Sequence, residues 1–118
     1  MEDSILLTVK KLIGGADSGT YDHFDEDLIV HINMCLAVVD QLIAESEKPF
    51  RITGVSEKWS DIPHLSDDEN ALVKDYVCIR TRLTFDPPAS SFVLDALKKT
   101  CDELEFRIMA SFDPRRLE

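Results

Sequence analysis

The chain has 118 residues, 44% of them hydrophobic and 31% charged, with 23 acids against 13 bases and a net charge of −10. That length suits a single domain, 1–118, able to bury its own core but near the small end of self-sufficient folds. The charge opposes ordinary nucleic-acid affinity, which comes mainly from Lys and Arg displacing counterions at phosphates, though an average leaves room for a local basic patch.

Residues 3–13, DSILLTVKKLI, read as a short helix. Asp3 or Ser4 can cap it, and Ile5, Leu6, Val9, Leu12 and Ile13 share one face. The start Met1-Glu2-Asp3 is acidic and lacks the basic region of a signal peptide, and no apolar run reaches the ~20 residues of a membrane span. The expected location is the cytoplasm, or a particle assembled from it. Gly14-Gly15 supplies a helix stop, 16–21 is a polar loop, and Asp22 or Asp25 opens the next helix.

That second helix, roughly 24–45, carries Leu28, Ile29, Ile32, Cys35, Leu36, Val39, Leu42 and Ile43, a wide apolar face expected to pack in the core. Asn33 is a poor helix former, so it is either a solvated position or a hydrogen-bonding one.

Pro49, Gly54 and Pro63 break the pattern across 46–65, and Phe50-Arg51-Ile52-Thr53 alternates with β propensity. A long arm with a short strand or hairpin is expected. About 20 residues without helix inside a small domain often mark function or an interface. Phe50, Ile52 and Trp59 are candidate contacts to a neighbouring chain, and Trp59 is either an interface anchor or a lid on the protomer's own core. In the first case, deleting 50–60 would leave the helices intact.

From Ser66 to Phe112 the chain reads as a helical hairpin. Ser66 with Glu69 fits a capping box, and Asp67, Asp68 and Glu69 suit the positive end of the helix dipole. Leu72, Val73, Tyr76, Val77, Ile79, Arg80 and Leu83 make one broad face. Pro87 and Pro88 stop the helix, and Asp86, Ser90 or Ser91 can cap the next. Leu94, Leu97, Cys101, Leu104 and Ile108 form a 3-4-3-4 stripe, the seam of a nearly antiparallel partner, closed by Asp113-Pro114. The frame is therefore mostly α: four helices, with the arm between the second and third. We see no repeat and no interdomain linker.

The residue types of known chemistries are thinly represented. Cys35, Cys78 and Cys101 cannot all pair within one chain and read as buried free thiols. His31 and Cys35 share a helix face at ligand spacing, but nothing in the sequence supplies two further zinc ligands. There is no GxSxG, P-loop or dinucleotide fingerprint. Asp95, Asp102 and Glu105 lie near one another on the last helix, whereas a magnesium site would need such acids on two facing helices; they read mainly as a solvated face, and the other acid clusters are explained by helix starts. Arg80 and Arg82 flank the end of the third helix. Arg82 either meets an acidic partner surface or pairs locally with Asp86 or the last carbonyls of the helix, whereas the Arg80 stem packs with its head in solvent.

At Tyr76-Val77, Arg82-Leu83, Phe85-Asp86-Pro87-Pro88, Ser90-Ser91 and Glu103-Leu104-Glu105-Phe106-Arg107 the chain resembles the gp6-like head–tail connector (head-completion, DNA-packaging adaptor) proteins of tailed bacteriophages and prophages. The resemblance continues upstream through Ser4-Ile5-Leu6, Val9-Lys10, Tyr21, Phe24-Asp25, Ile32-Asn33, Gln41-Leu42, Phe50-Arg51-Ile52 and Trp59-Ser60-Asp61. No single motif is decisive; the ordered set is specific. Relatives often place a Gly after the Gln-Leu pair, where this chain has Ile43-Ala44-Glu45-Ser46.

The resemblance implies a structural protein of the virion's head–tail junction. Copies of it form a ring with one another, contact the portal protein and the tail-completion or stopper protein, and extend the DNA channel, with no catalysis, cofactor, metal or membrane. Acidity would then let DNA slide past. Arg80, Arg82, Asp86 and the arm residues become subunit or partner contacts. Two readings of other classes stand beside it: a small acidic helical regulator of a basic partner, and an all-α magnesium-dependent nucleotide hydrolase using Asp102 and Glu105.

Overall fold

The structure, a computed structural model, describes residues 4–14, 24–43, 49–63 and 65–112. Helix α1 spans Ile5–Gly14, α2 Asp25–Ile43, α3 Asp67–Phe85 and α4 Ser91–Ser111, with a 3-10 turn at Trp59–Asp61 between α2 and α3. The mostly helical frame and the α3–α4 hairpin are as expected. The Asp3 cap, the Gly15 stop, the 16–21 loop, Asp22, the segment after Ile43 and the Asp113-Pro114 terminator lie outside the described residues.

Local chemistry starts α1, α3 and α4. Ser4 Oγ accepts the Leu7 amide at 3.3 Å, opening α1. At α3 the capping box forms in both directions: Glu69 N–H donates to Ser66 Oγ at 3.2 Å, and Ser66 N–H donates to Glu69 Oε1 at 3.0 Å. Such a box satisfies amides that the helix itself leaves without partners. Glu69 Oε2 also accepts from Ser111 Oγ at 2.6 Å, tying the start of α3 to the end of α4. Between them Asp86 is the C-cap of α3, and Ser90 caps α4 by accepting the Val93 amide at 3.3 Å.

Helix α3 is the central element, packed by α1, α2 and α4. It buries Val73, Tyr76, Val77, Cys78 and Thr81. Leu28, Ile32, Cys35, Leu36 and Val39 come from α2, and Ile5, Leu6 and Val9 from α1. The α4 seam closes only in its second half: Cys101, Leu104 and Ile108 are buried, while Leu94 and Leu97 stay partly exposed.

The arm differs from expectation. Among the described residues it contains no strand, only an isolated antiparallel bridge between Ser4 and Lys58. With no neighbouring strand to pair with, its backbone bonds to side chains and to the start of α1. Asn33 donates to Ile52 O at 3.0 Å and accepts from Ile52 N–H at 2.9 Å. The Ile5 amide donates to Glu57 O at 3.0 Å, and Asn70 donates to Trp59 O at 2.8 Å. Glu57 folds the tip back by accepting from the Thr53 amide at 3.0 Å and its hydroxyl at 2.8 Å. Arg51 pairs with Asp40 at 2.7 Å. Ile52, Trp59 and Ile62 are thereby drawn into the core.

Candidate functional site

A polar cluster crosses the α3–α4 seam. Tyr76 OH donates to Glu105 Oε2 at 2.7 Å, and Arg80 Nη1 donates both to Tyr76 OH at 2.8 Å and to Glu105 Oε2 at 3.0 Å. Tyr76 and Arg80 sit one turn apart on α3, so the guanidinium lies 5.9 Å from the phenol ring centre. Burial, followed by the bond to the Glu105 carboxylate, drives the Tyr76 pKa well above that of a free phenol. The Arg80 head is thus engaged across the seam rather than reaching freely into water, which the spacing of α3 alone did not reveal.

This arrangement bears on the acidic residues of α4. Glu105 is committed to Arg80 and Tyr76, and no group of three His, Cys, Asp or Glu side chains that could hold a metal ion is assembled among the described residues. The hollow beside the cluster, about 250 Å³ and open, is lined by Arg80, Lys98, Cys101 and Asp102 among others. Burial first, then the Glu105 carboxylate, pushes the Cys101 thiol up to about 11, so it is a protonated thiol at neutral pH. Cys78 is raised to about 12, again chiefly by burial.

His31 and Cys35 have other partners. His31 Nδ1 lies 3.1 Å from Thr84 Oγ1 and its ring meets Phe85 edge-on at 5.6 Å. Cys35 Sγ lies 3.6 Å from Thr81 Oγ1, and desolvation raises its pKa. Both side chains join α2 to α3.

The remaining sequence candidates fall in separate places. Ile52 and Trp59 are buried within the protomer, Trp59 donating Nε1–H to Thr8 Oγ1 at 3.2 Å. The Trp59 arrangement is the lid on its own core. Phe50 is half-buried beside Leu36, Val39 and Ile62. Arg82 is exposed, and Asp86, half-buried, ends α3. Phe50 lines a different hollow from those lined by Arg80 and Arg82.

Other outward-facing apolar residues escaped the sequence reading. On α4, Phe92 is 82% and Phe106 65% exposed; on α2, Val30 and Met34 are each 57% exposed. Between α1 and α4 an open groove of about 200 Å³ runs over α3, lined by Leu12, Ile13, Cys78, Ile79 and Leu97 with Arg82. The signal for the α2 pair was two apolar residues one turn apart, outside the helix's own apolar face.

A family model for phage connector proteins matches residues 5–115, from the start of α1 to beyond the end of α4. No curated protein and no solved structure matches the chain. The match covers every described helix together with the arm, so the chain belongs to the phage connector protein family, a family of structural virion proteins that meet other head and tail proteins.

Proposed function

We propose that this chain is a head–tail connector whose copies close into a ring between the portal at the capsid vertex and the tail or its stopper protein, lengthening the channel through which DNA is packaged and ejected. The observation that carries this reading is the end-to-end match to the connector family over residues 5–115. The exposed Val30 and Met34, one turn apart on α2, support it, because apolar side chains clustered on a surface commonly mark a partner site.

A ring uses heterologous contacts, one face of each copy against a different face of the next, and closure ends the assembly. A protomer can therefore wait in the host cytoplasm until the portal templates the ring. DNA passes without base-specific contacts, and a net charge of −10 lowers its tendency to stick to the wall. No reaction and no cofactor is required. Within the arm, Ile52 and Trp59 serve the core, so contacts to a neighbouring copy fall to its outer edge at Thr53 and Val55.

The test is placement in the particle. A tagged copy of the chain is expected at the head–tail junction of purified virions, and particles made without it are expected as heads lacking tails. Tailed, infectious particles formed in its absence would refute the reading.

A further inference from the structure

Two apolar surfaces of the protomer point in different directions. The first is a ridge on α2: Val30, Met34 and Ala37 recur at i, i+4 and i+7, opposite the buried Leu28, Ile32, Leu36 and Val39. Exposed Asp27 stands one turn before Val30 on the same side. The second is the groove between α1 and α4. Its floor is the α3 face of Cys78, Ile79 and Arg82, whereas α2 is met by Thr81 and Thr84 of α3 through Cys35 and His31. The groove thus opens on the side of α3 turned from α2, and the ridge lies on the side of α2 turned from α3.

We propose that the α2 ridge of one copy seats in the α1/α3/α4 groove of the next, with Met34 filling the hollow and Asp27 meeting Arg82. This pairing rests on the ring reading above and says which faces make the ring. A ridge and a groove on different sides can join only head to tail, which continues around an axis instead of stopping at a dimer. An amphipathic helix with anchors at i, i+4 and i+7 is the ordinary occupant of an apolar groove.

Charge suits the same pair, because Arg82 is, among the described residues, the cation that lines the groove. Copies carrying −10 repel on average, so a contact between them must use cations placed for it. Lys10, Arg51, Arg80 and Arg107 are already paired with Asp25, Asp40, Glu105 and Glu103 of their own protomer. Arg82 stands exposed at the groove, and the α2 ridge begins in acid. The α4 phenylalanines fit the groove less well: Phe92 and Phe106 are separated by Asp95, Lys99 and Glu103 on the outer face, so they form no continuous ridge.

Site-directed cross-linking of the concentrated full-length chain tests the pairing. Leu12, 58% exposed at the groove, and Met34 are both replaced by Cys, and a short bis-maleimide is added. The double variant is expected to give a ladder of dimer, trimer and larger products, while Leu12→Cys alone, Met34→Cys alone and the wild type, whose own cysteines are buried, give none. Adding Arg82→Glu should lower the ladder about tenfold, and adding Asp27→Arg to that should restore it. All the replaced side chains are exposed, and circular dichroism checks that the variants fold. Micrographs of the same samples separate the two claims. Closed rings without the Leu12–Met34 link, or a ladder indifferent to both charge changes, overturn this pairing and leave the ring standing. A Met34–Met34 dimer alone also overturns it, and the absence of any ring overturns both.

Discussion

Asn33 clamps Ile52 through both backbone groups, its amide nitrogen 3.0 Å from the Ile52 carbonyl and its amide oxygen 2.9 Å from the Ile52 amide. One side chain on a helix thereby does for the arm what a neighbouring strand would do, and it sets Ile52 in the core.

Replacing Asn33 by Ala leaves that buried amide and carbonyl without partners, at a cost of about 1–3 kcal/mol for each group. Urea denaturation is expected to show a loss of a few kcal/mol in total. Asn33→Asp keeps the acceptor and loses the donor. A protonated Asp can donate to the Ile52 carbonyl, so its folded-state pKa is expected above the unfolded value. Its stability should therefore approach wild type at acidic pH and fall behind as pH rises through that raised value.

Trp59 couples the arm to two helices, through Thr8 of α1 and Asn70 of α3. Trp59→Ala should cost about 3–5 kcal/mol, the range for emptying a large aromatic from a core. Trp59→Phe keeps most of the buried ring and should cost far less. Deleting 50–60 removes Ile52 and Trp59 together, so loss of helical circular dichroism is expected, in place of the intact helices anticipated from sequence.

Across the hairpin seam, Arg80 and Glu105 are about a third exposed, at 34% and 31% of their side chains. Solvent screening limits such a pair, and a double-mutant cycle with Arg80→Met and Glu105→Gln should give a coupling of roughly 1 kcal/mol. Tyr76→Phe removes a hydroxyl bonded to both and should reduce that coupling.

Alkaline conditions should find the thiols. Cys78 and Cys101 hold their protons to about 12 and about 11, above the ordinary thiol value near 9. A group whose acid form is favoured by folding contributes fully below its unfolded pKa, and the contribution is lost as pH rises toward the folded value. Stability should thus decline from about pH 9 upward. Cys78→Ala should lower stability at neutral pH yet flatten this decline; an equally steep decline in the variant would assign it to other groups.

What the sequence disclosed was what is local. The Ser66–Glu69 box, the Pro87-Pro88 break and the α4 seam each depend on residues a few positions apart; the first two appear where expected and the seam in its second half, from Cys101 to Ile108. The arm did not disclose itself, because its backbone is satisfied by Asn33 and Asn70, distant in sequence and unremarked as a pair. Phe50-Arg51-Ile52-Thr53 has strand-like alternation but, among the described residues, no strand beside it, so propensity yielded to tertiary context. The Tyr76–Arg80–Glu105 cluster was hidden similarly, since the hairpin register that joins Arg80 to Glu105 cannot be read from either helix alone. Val30 and Met34 went unnoticed because they lie opposite the apolar face of α2, where the burial of one side gives no reason to look for apolar residues.

The most direct measurement is the mass of the assembled species. Native mass spectrometry of the chain bound to its portal should give one closed oligomer of defined copy number, with no series of growing chains. A single copy on the portal, or a chain that stays monomeric beside it at every concentration, would contradict the account.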